Sequence, residues 1–244
     1  TYDGYIEGRW LVGKDEYYRQ HHLDPERNLI TYANSFNTLS PNIQNVEALV
    51  KLVSEDQLSQ PSQLLIRLHP NHFLDVPRFI EEREMIYDLA ADHEHIHVVE
   101  PVALGGSLGH YSGEDMPEKA SMMAYADVLV TVYSTMAVET SVVGNPVVAL
   151  CIDSETGWPG KYYLPLSQIA HWPTHDRFRK SNSGKVAMNI EELRQHLNYY
   201  LENPGADLEA RQKFVRDEIT FTDGSAGKKT AENILKMIEK GRYR

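Results

Sequence analysis

Short runs of β-branched and aliphatic residues alternate along the chain with segments in which apolar residues recur every three or four positions. The first pattern is typical of buried strands and the second of amphipathic helices. Their alternation indicates βαβ units around a mainly parallel sheet. The pattern predicts about five strands and a further strand-like run, at 28–33, 63–68, 95–99, 127–132, 146–152 and 185–188.

Helical periodicity and capping residues predict the elements between these strands. The predicted helices cover 42–53, 77–91, 116–125, 136–143, 190–201, 208–218 and 226–240. Strands as apolar as 127–132 and 146–152 indicate a sheet that is covered on both faces. We therefore predict an α/β protein: residues 28–244 form one Rossmann-like domain with a parallel sheet and helices on both faces.

The two remaining segments have weaker patterns. Residues 1–27 are predicted to be a lead-in, with a short strand at Trp10–Gly13 and a short helix at Lys14–His22. The lead-in is aromatic, which fits either a contact surface for another domain or packing on this domain's own sheet. The segment 153–180 is predicted to be irregular. The last predicted helix carries an apolar stripe that should face a core, made of Ala231, Ile234, Leu235 and Ile238.

Composition excludes several classes of function. The 244 residues include 24 Lys and Arg against 35 Asp and Glu, a net charge of −11, which argues against a general nucleic-acid binder. The single Cys151 excludes an internal disulfide framework and a multi-cysteine zinc site, and it fits a reducing, cytoplasmic compartment. No run approaches the roughly 20 apolar residues of a membrane-spanning helix.

Common cofactor and hydrolase motifs are missing from the sequence. It has no His-Glu-x-x-His, no Gly-x-Ser-x-Gly elbow and no Walker A spacing. The glycines of Gly105–Gly109 do not open a helix, so they are not a dinucleotide fingerprint; we expect a loop near the site instead. We therefore predict neither a metal ion nor a cofactor.

Ligands of open α/β sheets lie beyond the carboxyl ends of the strands, so these ends hold the candidate site. The second predicted strand leads into Arg67-Leu-His69-Pro70. Pro70 favours an extended backbone at His69, and an imidazole there can donate to a phosphate or a leaving-group oxygen. Arg67 is a candidate that supports His69. The alternative is a histidine that only satisfies a loop carbonyl.

The strand 127–132 leads into Ser134-Thr135, which open a predicted helix. Hydroxyls and free N–H groups at such a helix start bind phosphate oxygens, and Glu139, one turn on, can accept from ribose hydroxyls. Ordinary capping beside a solvated glutamate is the alternative. Arg177, in the basic cluster of the irregular segment, is either a further phosphate ligand or a solvated loop charge.

These residues, in this order, resemble the C-terminal, nucleotide-binding domain of GT-B glycosyltransferases. The likeness is to bacterial surface-polysaccharide enzymes: CDP-glycerol glycerophosphotransferases, capsule polysaccharide transferases, and relatives similar to UDP-N-acetylglucosamine 2-epimerase. It extends from about Arg9 to Ile238. The segments that carry it are Arg67-x-His69-Pro70, Ala126-Asp127, Ser134-Thr135-x3-Glu139, Gly144-Asn145-Pro146 and Asp223-Gly224-x-Ala226.

The resemblance implies that His69, Ser134, Thr135 and Glu139 contact a donor nucleotide, with His69 as the catalytic residue. It implies inverting transfer from a nucleotide-activated sugar or CDP-polyol donor in polysaccharide biosynthesis. It also implies an acceptor-binding domain upstream that supplies the catalytic base, so that the chain alone is expected to be inactive. Peripheral membrane association is an expectation for such a whole enzyme.

Two other functions stay open at this point. A sugar-nucleotide 2-epimerase has the same scaffold but needs acid and base carboxylates, for which the sequence offers no convincing set. A non-catalytic nucleotide-binding module would bind nucleotide without turnover.

Overall fold

The computed structural model describes residues 2–35, 42–102, 113–132, 134–153 and 166–241, with the side chains of Asn42 and Thr174 left out. Its centre is a six-stranded, wholly parallel sheet of strand order β3-β2-β1-β4-β5-β6. The strands are β1 Asn28–Ala33, β2 Ser62–Arg67, β3 Ile96–Val99, β4 Val128–Val132, β5 Val147–Leu150 and β6 Lys185–Ala187. The predicted α/β class is confirmed, and the strand-like run at 185–188 is the sixth strand.

Helices precede, connect and follow these strands. They are α1 Asp3–Ile6, α2 Lys14–Gln20, α3 Asn42–Ser54, α4 Pro77–Ala91, α5 Met116–Tyr125, α6 Met136–Val142, α7 Leu166–Ile169, α8 Pro173–Ser181, α9 Ile190–Glu202, α10 Leu208–Glu218 and α11 Ala226–Glu239. Single 3-10 turns lie at Pro70–Phe73 and Gly113–Asp115. The long helices therefore begin and end within two residues of their predicted bounds.

Two of the predictions for the weakly patterned segments are wrong. Trp10–Gly13 is not a strand, because the Trp10 ring turns back onto α1 and contacts Tyr5 with ring centroids 5.0 Å apart. Gly4 permits this, since a Cβ there would lie 2.4 Å from the indole. The segment predicted to be irregular contains α7 and α8. Helix α8 buries little apolar surface beyond Phe178, which explains why its pattern was weak.

The sheet is buried on both faces. On one face, Ile30 and Tyr32 pack with Leu49 of α3, Ile86 of α4 and Leu197 of α9. On the other face, side chains of the strands pack with α2 and α5. These are Leu29, Leu65 and Leu129 with Tyr17, Met122 and Met123. Apolar residues at successive strand positions are what burial on two faces requires.

The aromatic lead-in packs on this domain's own sheet. Tyr5, Tyr17 and Tyr18 are buried in the same cluster as Leu29 and Leu65, and Trp10 packs against that cluster. The Tyr17 hydroxyl donates to Glu118 Oε1 at 2.7 Å. Of the two alternatives for the lead-in, the structure supports packing on this domain's own sheet.

The first and last helices meet at the start of α11. The buried Asp3 carboxylate accepts from the N–H groups of Ala226 at 3.2 Å and Gly227 at 2.7 Å. A Cβ on Gly227 would lie 3.2 Å from Asp3 Oδ2, so glycine allows this close approach. The Asp223-Gly224-Ser225-Ala226 segment thus joins the two ends of the described chain.

Beyond its first turn, α11 projects from the domain. None of its residues is buried, and Ile234, Leu235 and Ile238 are 52%, 59% and 60% exposed. The expectation that this stripe faces a core is wrong for the part of the chain that the structure describes.

Candidate functional site

The ends of β2, β1 and β4 lie side by side at the carboxyl edge of the sheet. The chain proceeds outward from β1 through β2 to β3, and then outward on the other side from β4 through β5 to β6. The strand order therefore reverses between β1 and β4, and ligands of open α/β sheets bind at such a switch point. The two predicted strand-end motifs lie on either side of β1.

His69 follows β2 in the extended conformation that Pro70 favours, with φ −78° and ψ 142°. The N–H of Asn71 donates to His69 Nδ1 at 3.2 Å. Since Nδ1 accepts, a neutral imidazole carries its proton on Nε2. The N–H of His69 donates to Nδ1 of the buried His72 at 3.0 Å, and His72 Nε2 lies 2.9 Å from Glu82 Oε2. The ring and backbone of His69 are thus both held in place.

Burial, together with the neighbouring His72 and Arg67, lowers the pKa of His69 to about 4. The imidazole is therefore neutral at pH 7 and acts as a hydrogen-bond donor rather than a cation. This pKa is lower than the ordinary value of about 6.5, so the unfolded chain binds the proton more readily than the folded protein does. The free energy of unfolding therefore decreases as the pH falls from about 6.5 towards 4.

Arg67 lies in a buried ion pair that sequence reasoning missed. Its Nη2 donates to Asp115 Oδ2 at 2.6 Å, and the two side chains are 6% and 2% exposed. Asp115 Oδ1 also accepts from the N–H of Val102 at 2.9 Å. Arg67 Nη1 is buried and bonds to nothing within the described residues. The predicted loop Gly105–Gly109 lies outside those residues.

Ser134 and Thr135 precede α6 and line a small pocket. Ser134 Oγ accepts from the N–H of Met136 at 3.2 Å, so one free N–H group of the helix start is already capped. The pocket has a volume of about 70 Å³, with Phe178 and Phe214 on its apolar side and Glu218 among its polar groups. Whole-ligand sites usually exceed roughly 300 Å³, so this pocket has room for only part of a nucleotide.

Arg177 lies beside the same pocket. Its Nε donates to Glu218 Oε1 at 2.5 Å and its Nη2 to Oε2 at 3.0 Å, and the arginine side chain is half exposed. The guanidinium is thus engaged by a carboxylate that lines the pocket.

Glu139 lies apart from the pocket formed by Ser134 and Thr135. Its Oε1 accepts from Lys119 Nζ at 2.8 Å, and both side chains are largely buried. Burial raises the pKa of the Tyr5 hydroxyl, and the nearby Glu139 carboxylate raises it further. Glu139 therefore faces α1 and α5, and the structure brings only Ser134 and Thr135 together in the pocket.

Asn34 is a second residue that sequence reasoning missed. It directly follows β1, its N–H donates to the Arg67 carbonyl at 3.0 Å, and its side chain is buried. Neither side-chain amide atom has a hydrogen-bond partner in the described ranges. A polar residue directly after an apolar strand was the available signal in the sequence.

The described residues meet neither the requirements of a metal site nor those of a membrane-spanning helix. In the residues that the structure describes, no three histidine, cysteine or acidic side chains are grouped as metal ligands. Nor does any helix in these ranges combine the length and the apolar character needed to cross a membrane.

Comparison with known proteins gives matches in structure but not in sequence. No family model matches the chain, and no curated protein matches it. The wall teichoic acid polymerase TagF is 15% identical with a TM-score of 0.56, over 100% of this chain and 51% of the polymerase chain. The UDP-GlcNAc 2-epimerase from Neisseria meningitidis, bound to UDP-GlcNAc, is 14% identical with a TM-score of 0.54, over 91% and 48%.

A third match concerns a single domain. The C-terminal CMP-Kdo binding domain of WaaA from Acinetobacter baumannii is 16% identical with a TM-score of 0.50, over 87% of this chain and 98% of that domain. This chain thus spans about half of the polymerase and epimerase chains. Identities this low show the fold alone. The chain has the Rossmann-like fold of one half of a GT-B protein, and it matches a C-terminal domain of that architecture.

Proposed function

We propose that this chain is the donor-binding half of a transferase that moves a sugar, or a polyol phosphate, from a nucleotide-activated donor to an acceptor. The main support for the proposal is the state of His69 beside the switch point. Its backbone is extended, its imidazole is neutral, and the N–H of Asn71 holds the ring in place. A neutral imidazole that carries its proton on Nε2 is suited to donate to a phosphate oxygen. The hydroxyls of Ser134 and Thr135, beyond the end of β4, supply further donors.

The proposed reaction with a nucleotide sugar is an inverting displacement. An acceptor hydroxyl oxygen forms the new bond to the anomeric carbon, the bond from that carbon to the phosphate oxygen breaks, and its electron pair stays on the departing nucleotide. Negative charge develops on this leaving group, and donors already in place there stabilise it in the transition state. His69 and Ser134 hold these positions, while a base in the acceptor-binding half takes the acceptor proton.

An acceptor-binding half is the proposed partner. Two observations support it: the chain spans about half of the matched two-half proteins, and α11 presents an apolar stripe with no buried residue. Isolated amphipathic helices of this length are marginally stable in water, so α11 gains most from a partner that covers it. A role in surface-polysaccharide synthesis, a cytoplasmic location and peripheral membrane association of the whole enzyme remain predictions from the resemblance.

Replacement of His69 by alanine is expected to weaken nucleotide binding by about 1–3 kcal/mol, since a hydrogen bond to a charged phosphate is lost. Calorimetric titration with CMP, CDP, UDP and GDP measures the loss and identifies the base. The control is His171→Ala, which changes an exposed histidine outside the site. Unchanged affinity in a folded His69→Ala protein would contradict the role of His69.

Glu139 is proposed to accept from ribose hydroxyls, so the wild-type chain should prefer ribonucleotides to 2′,3′-dideoxynucleotides. Glu139→Ala should reduce that preference by about 1–3 kcal/mol, because hydrogen bonds to a carboxylate are lost. Lys119→Ala is the matched control, since it breaks the 2.8 Å ion pair but keeps the carboxylate. An identical preference in wild type and Glu139→Ala would leave Glu139 a purely structural partner of Lys119.

A sugar-nucleotide 2-epimerase is the second candidate, because a solved epimerase matches this chain about as well as the polymerase does. Product analysis separates the two activities. An epimerase alters the sugar of the nucleotide donor with no acceptor present, whereas a transferase releases nucleotide only when an acceptor is supplied. Nucleotide binding without turnover, even with the acceptor-binding half supplied, would favour a non-catalytic module.

A further inference from the structure

Asn34 occupies the central position of the carboxyl edge. Ala33, the last residue of β1, pairs with Arg67 on β2 and with Thr131 on β4. Asn34 follows it, and its N–H donates to the Arg67 carbonyl at 3.0 Å. The residue therefore lies where the strand order reverses, between the strand that leads to His69 and the strand that leads to Ser134.

The side chain of Asn34 is buried without a hydrogen-bond partner at either end. Asn34 is 6% exposed, and neither Oδ1 nor Nδ2 is bonded within the part of the chain that the structure describes. Asn145, by contrast, donates to the carbonyls of Met123 at 2.8 Å and Ala124 at 2.9 Å. Because burial removes water from both ends of an amide, an unpaired one destabilises the fold. Such a residue is typical of a binding site that a ligand completes.

The chemistry of an amide restricts the group that satisfies it. Nδ2 donates and Oδ1 accepts, so a phosphate oxygen would pair with Nδ2 alone and would repel Oδ1. A hydroxyl group both donates and accepts, and it pairs with either end. The neighbouring strand ends carry the groups that fit phosphate, and the sugar or polyol of a nucleotide donor is bonded directly to the terminal phosphate.

We propose that Asn34 binds a hydroxyl group of the transferred sugar or polyol of the donor. This inference rests on the proposed donor-binding function. It assigns specificity for the transferred group to the end of β1, and it leaves the phosphates to His69 and Ser134. Asn34 thus distinguishes a loaded donor, which carries the sugar or polyol, from the nucleoside diphosphate alone.

The test replaces Asn34 by leucine, which has nearly the same shape and no hydrogen-bonding group. Calorimetry compares UDP with UDP-N-acetylglucosamine and CDP with CDP-glycerol in wild type, Asn34→Leu and His69→Ala. Asn34→Leu is expected to weaken the loaded donor about tenfold while the free diphosphate stays within about twofold, as expected for one lost hydrogen bond. His69→Ala is expected to weaken both ligands.

Thermal unfolding of the same variants without ligand separates a binding role from a structural one. Removal of an unpaired buried amide is expected to leave the melting temperature of Asn34→Leu unchanged or higher. Asn34→Ala serves as a second variant if leucine does not fit. Equal weakening of both ligands, or unchanged affinity for the loaded donor, would overturn the inference while nucleotide binding stands. A wild-type chain that binds neither ligand pair would overturn the proposed function and this inference together.

Discussion

Replacement of Asp115 by alanine is expected to lower the free energy of unfolding by about 3–5 kcal/mol, because it leaves a buried guanidinium without its anion. The Arg67 side chain is 6% exposed, and the carboxylate that it pairs with at 2.6 Å also accepts from the N–H of Val102. Alanine removes both bonds at once. Urea denaturation followed by circular dichroism measures the loss.

The double variant Arg67→Met with Asp115→Leu is the control. Apolar side chains in place of both charges should cost far less than the single change, since no charge stays buried. Together with its two matching single variants, Arg67→Met and Asp115→Leu, the double variant closes a cycle that gives the coupling energy of the pair. A loss below about 1 kcal/mol in Asp115→Ala would contradict a structural ion pair. The folded double variant also tests the prediction that Arg67 supports His69 in nucleotide binding, because the affinity for nucleotide should then fall.

Most of the fold could be predicted because its elements have strong and separable patterns. Strands β4 and β5 are nearly pure aliphatic runs, and α9 repeats its buried residues Leu193, Leu197 and Leu201 every four positions. The helix α8 could not be predicted in this way, since its sequence PTHDRFRKS offers one buried apolar residue to mark a period. Pro173 in the first turn and Asn182 at the C-cap, with φ 54°, are local signals of the helix ends, and hydrophobic periodicity does not detect them.

The candidate site could be predicted only as far as local sequence determines it. The strand-end rule selected His69 and Ser134, which the structure places on either side of β1. The partner of Arg67 lies 48 residues away, and nothing in the sequence near either residue indicates the pair. In the same way, helical spacing puts Glu139 near Thr135 but does not indicate that Glu139 pairs with Lys119 of α5. Contacts between distant segments decide such details.

Replacement of Tyr17 by alanine is expected to lower the free energy of unfolding by about 3–5 kcal/mol, as for other large buried aromatic residues. Tyr17 is fully buried, and its ring centroid lies 4.5 Å from that of His21 and 5.5 Å from that of Tyr125. Its hydroxyl donates to Glu118 at 2.7 Å. The residue therefore joins the lead-in helix α2 to the sheet through both packing and a hydrogen bond.

Tyr17→Phe separates these two contributions, because it keeps the ring and removes only the bond to a charged acceptor, at a cost of about 1.5–3 kcal/mol. Tyr199→Ala, at a position on α9 that is 38% exposed, is the control and should cost clearly less than Tyr17→Ala. Chemical denaturation of the three variants gives the comparison. If Tyr17→Ala cost no more than Tyr199→Ala, the lead-in would be separable from the domain. A loss of the expected size makes the lead-in part of the folded unit that carries His69 and Asn34, since Tyr17 shares one core with Leu29 of β1 and Leu65 of β2.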